Sequence, residues 1–162
     1  MSESSFREKI VKCIDKIRGW ILYHKLYRPL EREKDPQKRF EKKLWMEIKG
    51  SFLSGMDSAM SWVKYKSYYY DNLRSEDEKR QVRSVLLSML KSKEYDISKK
   101  AIIAYVCADL SIKDALQDID ALLQRDQDDS HKKIYRLAHE ALTRGLTMKE
   151  LVDEKFYAGE KV

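Results

Sequence analysis

The chain has 162 residues, 37% of them charged and 43% hydrophobic, a net charge of +6, two prolines and five glycines. That length is enough for one domain with its own core, and the balance is that of a helical protein rather than a sheet or a disordered tail. No run approaches the ~20 apolar residues of a membrane span, so membrane insertion is excluded as the expected mode.

The charge is not evenly spread. Residues 1–70 carry sixteen Lys and Arg against nine Asp and Glu, or +7, whereas residues 96–162 carry eleven against thirteen, or −2. A one-sided field of this kind attracts anionic partners and says little about fold. Cys13 and Cys107 are distant and sit inside apolar helical patterns, so they read as reduced core residues rather than a disulfide. Glu3, Glu8 and Asp15 put acid where a secretory or transit leader avoids it, and the expected location is the cytoplasm.

A first helix is predicted from the box Ser5-Phe-Arg-Glu8, in which the hydroxyl and the glutamate cap each other's backbone amides. Phe6, Ile10, Cys13, Ile14, Ile17, Trp20 and Ile21 fall on one arc of about 120° and form its core face. It should stop before Pro29, because the residue ahead of a proline is pushed out of the helical region. Glu31-Arg-Glu-Lys-Asp35 then reads as a charged connector.

Asp35-Pro36 predicts the second start, with Asp as cap and Pro at the first helical position. No strong breaker follows before Asp71-Asn72, so this helix could run for about 35 residues. Its large apolar residues Phe40, Leu44, Ile48, Phe52, Met56 and Met60 recur every four positions, so the stripe winds around the axis. One neighbour cannot cover both ends unless the helix bends near Gly50 and Gly55.

Shorter helices follow. Ser75-Glu-Asp-Glu78 is a capping box ahead of Val82, Val85, Leu86, Met89 and Leu90 at core spacing. Ser98, Ser111 and Thr147 are the predicted caps of helices over 98–109, 111–125 and 147–157, and Asp129 or Ser130 of one over 130–144. The expected architecture is an all-α bundle of about seven helices, two long N-terminal ones followed by a compact set of short ones. It forms a single domain over 1–162, and any subdivision would fall between a basic arm, 1–72, and a short-helix part, 73–162.

The strongest site candidate is the basic face of the second helix, where Lys38, Arg39, Lys42, Lys43 and Lys49 share an arc of about 140° away from Leu44 and Ile48. Lys9, Lys12 and Lys16 add a stripe on the first helix. Such stripes can track a phosphate backbone, with binding that weakens steeply with salt. The bland alternative is a solvated face diluted by Glu41 and Glu47.

Trp62-Val-Lys-Tyr-Lys-Ser-Tyr-Tyr-Tyr70 interleaves lysines with rings, the combination that stacks on unpaired bases while holding phosphates. Trp62, Lys64, Tyr65, Lys66 and Tyr69 are its candidate contacts. Tyrosine is equally an anchor at protein interfaces and a core residue, so Trp62, Tyr65, Tyr68, Tyr69 and Tyr70 also serve a protein-binding reading.

Other clusters read as structure. Asp126-Gln-Asp-Asp-Ser-His131 lacks the glycine and terminal glutamate of a calcium loop and suits an acidic helix cap. His24, His131 and His139 are scattered, with no zinc-helix spacing, and there is no glycine-rich phosphate loop or nucleophile signature. The stretch from Ala138 to Phe156 looks like the first half of a helix-turn-helix. Its Lys149 and Lys155 stand among Glu150, Asp153 and Glu154, however, which is poor material for a major groove.

The expectation is therefore a non-enzymatic binding protein without metal or cofactor. Its partner would be nucleic acid or a nucleoprotein assembly; the alternative is a protein-binding adaptor or inhibitor. Self-association into a homo-oligomer through the winding stripe is a further expectation, and a membrane is not among the expected partners.

Overall fold

A computed structural model of the chain describes residues 28–52, 66–72 and 74–159. Among these residues the structure is helical, with no strand: seven α-helices, a π-helical segment at Lys66–Asp71 and a 3-10 turn at Lys113–Ala115. The α-helices are α1 (Arg28–Arg32), α2 (Pro36–Phe52), α3 (Glu76–Lys91), α4 (Ile97–Asp109), α5 (Leu116–Arg125), α6 (Asp129–Arg144) and α7 (Met148–Tyr157). The chain divides into two compact units, Met1–Leu73 and Arg74–Val162. The predicted first helix, with Lys9, Lys12, Lys16, Cys13 and His24, lies outside the described residues.

In the first unit, the predicted end of the first helix before Pro29 lies outside the described residues, and Pro29 itself sits in a short helix. It is the second residue of α1, and the missing N–H of a proline costs nothing within a first turn. The connector accordingly shrinks to residues 33–35. Asp35 caps α2 as predicted: its carboxylate accepts the N–H of Gln37 at 2.9 Å and of Lys38 at 3.3 Å. On α2 the predicted core positions Leu44 and Ile48 are buried and Phe40 is half-buried. Met56 and Met60, at the far end of the winding stripe, lie outside the described residues.

The second unit is organised around α4. Ala101, Ile103, Ala104, Val106, Cys107 and Ala108 are all buried, the pattern of a helix covered on most sides. It packs against α6 most extensively, and also against α3 and α7; α5 packs against α6 and α3. Buried alanines on both α4 (Ala101, Ala104, Ala108) and α6 (Ala138, Ala141) suit a short distance between helix axes, because that distance is set by side-chain size at the contact. Val82, Val85, Leu86, Met89 and Leu90 of α3 are buried as their spacing predicts. The Tyr135 ring on α6 is fully buried, and its hydroxyl donates to the Ile97 carbonyl at 3.0 Å.

Helix starts divide into those that follow their local signal and those that do not. Ser75 with Glu78, and Thr147 with Glu150, form complete capping boxes. At α4 the cap is Asp96 rather than Ser98: its side chain accepts the Lys99 N–H at 2.9 Å. A carboxylate caps as well as a hydroxyl and adds negative charge at the positive end of the helix dipole. At α6 the cap is Asp128, which accepts from the N–H groups of Ser130 and His131, rather than Asp129 or Ser130.

Ser111 caps nothing, since α5 begins only at Leu116 after the 3-10 turn. It ends α4 instead. With φ of 55° it occupies the left-handed region, the Ile112 N–H reaches back to the Cys107 carbonyl at 2.9 Å, and the Ser111 N–H to that of Ala108 at 3.0 Å. Those two bonds make a Schellman stop, a role usually filled by glycine. Gly145 ends α6 in the same left-handed conformation, with φ of 71°.

Candidate nucleic-acid interface

The predicted basic face of α2 resolves into two kinds of residue. Lys38, Lys43 and Lys49 are exposed along the helix, with Lys38 and Lys49 about 16 Å apart along its axis at 1.5 Å per residue. Arg39 and Lys42 are also exposed, but they turn back onto the connector. The Arg39 guanidinium donates to the Glu33 carbonyl through Nε at 2.9 Å and Nη2 at 2.6 Å. Lys42 Nζ donates to the Glu33 carboxylate as an ion pair. The Asp35 N–H donates to the same carboxylate at 3.3 Å.

Glu33 is thus the hub of the α1–α2 junction. The hydrogen bond from Lys42, aided by the Asp35 N–H, holds its carboxyl below the ordinary 4.5. Beside this hub lies an open cleft of about 520 Å³ lined by Arg28, Pro29, Arg32, Glu33 and Lys42. Arg28 and Arg32 stand one helical turn apart, so both guanidinium groups emerge from the same side of α1. Sequence reasoning missed these two arginines and Glu33. Reading Glu31 and Arg32 as connector hid the i, i+4 pair, and a loop offers no periodicity that would show Glu33 meeting Arg39 and Lys42.

In the Tyr-rich segment, Trp62, Lys64 and Tyr65 lie outside the described residues. Lys66 is half-buried at the start of the π-helical segment, and Tyr69 lies on that segment. Single π-turns recur at functional sites because they displace side chains from the regular helical register. Tyr70 is 5% exposed, and its buried hydroxyl has no hydrogen-bond partner. It is therefore not an exposed anchor.

The remaining chemically suggestive groups of the second unit are tied into the fold. Asp126 is buried; its carboxylate meets His131 Nδ1 at 3.1 Å and accepts the Asp128 N–H at 2.9 Å. With Asp128 capping α6, the acidic loop is a helix-start device. Asp109, 4% exposed, accepts the Met148 N–H at 3.0 Å. Burial pushes the Cys107 thiol well above its ordinary range, which makes it a poor nucleophile. Burial, with the nearby charge of Asp109, raises the Tyr105 phenol to about 12. His139 pairs with Asp120 at 3.3 Å in a partly exposed setting. Among the described residues no three His, Cys, Asp or Glu side chains come together as a metal site, and no helix is long and apolar enough to cross a membrane. In comparisons with known proteins, no family model matches the chain, and neither a curated protein nor a solved structure shows significant similarity to it.

Proposed function

We propose that the chain is a non-catalytic binding protein that engages nucleic acid, or a nucleoprotein assembly, through its basic N-terminal face. The observation that carries this reading is the exposure of Lys38, Lys43 and Lys49 on α2 while Leu44 and Ile48 of the same helix are buried. Solvated ammonium groups spread over one broad arc of a fixed helix suit the phosphates of a nucleic-acid backbone, because each contact releases condensed counterions. Lys64, Tyr65, Lys66, Tyr69 and Trp62 would extend the surface with stacking rings. The architecture that accompanies it is an all-α bundle with two long N-terminal helices, in a cytoplasmic protein.

The test is fluorescence anisotropy with labelled single- and double-stranded RNA and DNA at low and moderate salt. Micromolar or tighter binding that weakens by orders of magnitude with salt is expected. Combined reversal of Lys38→Glu, Lys43→Glu and Lys49→Glu should abolish it without lowering the melting temperature. These three are the residues to change, since Lys42 is engaged with Glu33 and its reversal would disturb the α1–α2 junction. Undiminished binding by the triple variant would overturn the reading.

The rival is a protein-binding module. It is favoured by the adjacent Phe156 and Tyr157 at the end of α7, 74% and 85% exposed, whose rings meet edge to face at 5.9 Å. It predicts association that barely changes with salt and is lost on truncating aromatic anchors.

A further inference from the structure

We infer that the second unit carries a phosphate site of its own, in which Lys91 of α3, Lys100 of α4 and Arg125 of α5 converge around the Asp118 carboxylate. The site lies apart in the chain from the N-terminal face proposed above and does not depend on that reading.

Helical spacing sets the frame. Asp118 and Arg125 are seven residues apart, two turns, and so share one side of α5, with the buried Leu122 between them. Lys100 shares its side of α4 with the buried Ile103, Ala104 and Cys107, and α3 packs against both α4 and α5. Across these contacts Lys91 Nζ stands 3.7 Å from an Asp118 carboxylate oxygen. Lys100 is half-buried, within the fields of both Arg125 and Asp118. Among the described residues, the Lys100 ammonium and the Arg125 guanidinium have no hydrogen-bond or ion-pair partner.

The fold gains little from the charge of Lys100. Burial first, and then the Arg125 charge, push its pKa down, and Asp118 offsets them only in part. Lys100 is also the fourth residue of α4, where the helix dipole disfavours a cation. Lys91 and Arg125 stand in the last turns of α3 and α5 and complement the dipoles there; Lys100 has no such role. A bound anion would offset all three penalties. Three cations around one carboxylate leave two positive charges, which match a phosphate group carrying about −1.5 to −2 near neutral pH. The planar fork of Arg125 can meet two of its oxygens at once.

The test uses the full chain, with inorganic tripolyphosphate by calorimetry and a labelled ten-nucleotide single strand by anisotropy. Lys100→Met and Arg125→Gln are each expected to weaken tripolyphosphate by about tenfold, the scale of one hydrogen bond to a charged group. Without ligand, Lys100→Met should melt no lower than the parent, because it removes an unfavourably placed charge and keeps most of the apolar stem. The combined Lys38→Glu, Lys43→Glu and Lys49→Glu variant should retain tripolyphosphate binding. If Lys100→Met and Arg125→Gln bind tripolyphosphate as the parent does, or the parent does not bind it, the site is overturned, while the basic-face reading stands or falls on its own strand titration. Weaker binding accompanied by a lower melting temperature in both variants would make these residues structural and would also overturn the site. Loss of tripolyphosphate with parental strand affinity assigns the site to a small phosphate compound, and loss of both assigns it to a strand.

Discussion

The buried carboxylate of Asp109, at the end of α4, accepts the backbone N–H of Met148, the first residue of α7, at 3.0 Å. A side chain 39 positions away in sequence thereby caps an amide that Thr147 does not reach, because the Thr147 hydroxyl serves Glu150. Removing the acceptor leaves a buried donor unsatisfied, at a cost of about 1–3 kcal/mol. Asp109→Ala should lower stability by ~2 kcal/mol in urea unfolding, and Asp109→Asn, which retains a carbonyl acceptor, by less. Equal losses for the two variants would show that the charge, not the cap, matters.

Ser111 and Gly145 end their helices in the same left-handed conformation with different side chains. An L-residue with a Cβ is strained there by ~1 kcal/mol or more, and glycine is not. Ser111→Gly should therefore raise stability by ~0.5–1 kcal/mol, and Gly145→Ala should lower it by ~1 kcal/mol. No atom lies within 4 Å of a Cβ built at Gly145, so the second effect isolates backbone strain from crowding. Thermal melts of the pair decide the matter, and shifts of the same sign would refute it.

Cys107 is fully buried, and burial holds its thiol protonated. In a Cys13→Ser background, a thiol reagent such as dithionitrobenzoate should label Cys107 only as fast as the second unit opens, because the thiolate is the reacting form. The labelling rate should track denaturant concentration. Immediate stoichiometric labelling in native buffer would contradict the packing of α4.

Five carboxylates, Glu33, Glu76, Asp96, Asp128 and Glu140, are held below their ordinary range, and three of them show the causes. Lys99 holds Asp96 below its ordinary 3.8, the Ser130 hydroxyl followed by backbone N–H groups does the same for Asp128, and Lys42 holds Glu33 below 4.5. Each folded pKa lies below the unfolded one, so the stability they contribute is complete above the unfolded value and is lost as pH falls through the folded value. The melting temperature should change little between pH 7 and about 5 and decline below about 4.5. An equal melting temperature at pH 3 and pH 7 would rule this out. Tyr105, raised to about 12, acts in the opposite direction: its contribution is complete below the ordinary 10 and is lost as pH rises through about 12.

What was legible in the sequence is what one helical turn can hold. Ser75 with Glu78 and Thr147 with Glu150 are boxes closed within four residues, and the α3 core face needs only helical spacing. Asp35-Pro36 succeeds for the same reason. The misassigned elements required information from elsewhere in the chain. Ser111 carries the chemistry of a cap, yet it is taken up by the end of the preceding helix, whose carbonyls claim the amides around it. Asp109, two residues before the predicted cap Ser111, instead caps a helix distant in sequence. In the candidate interface, the exposure of Lys38, Lys43 and Lys49 follows from their side of α2. The diversion of Arg39 and Lys42 to Glu33 does not, because six- and nine-residue separations across a loop obey no period.

The Glu33 junction also changes how the charge of this chain should be counted. Net charge treats every lysine and arginine as equally available to the surrounding electrolyte, whereas Arg39 and Lys42 already face an internal acceptor. A double-logarithmic plot of affinity against salt counts only the cations that exchange counterions for phosphate, at roughly 0.7 per contact on a single strand. The slope for this face should be that of Lys38, Lys43 and Lys49. Neutralising Arg39 should leave it unaltered even where affinity declines.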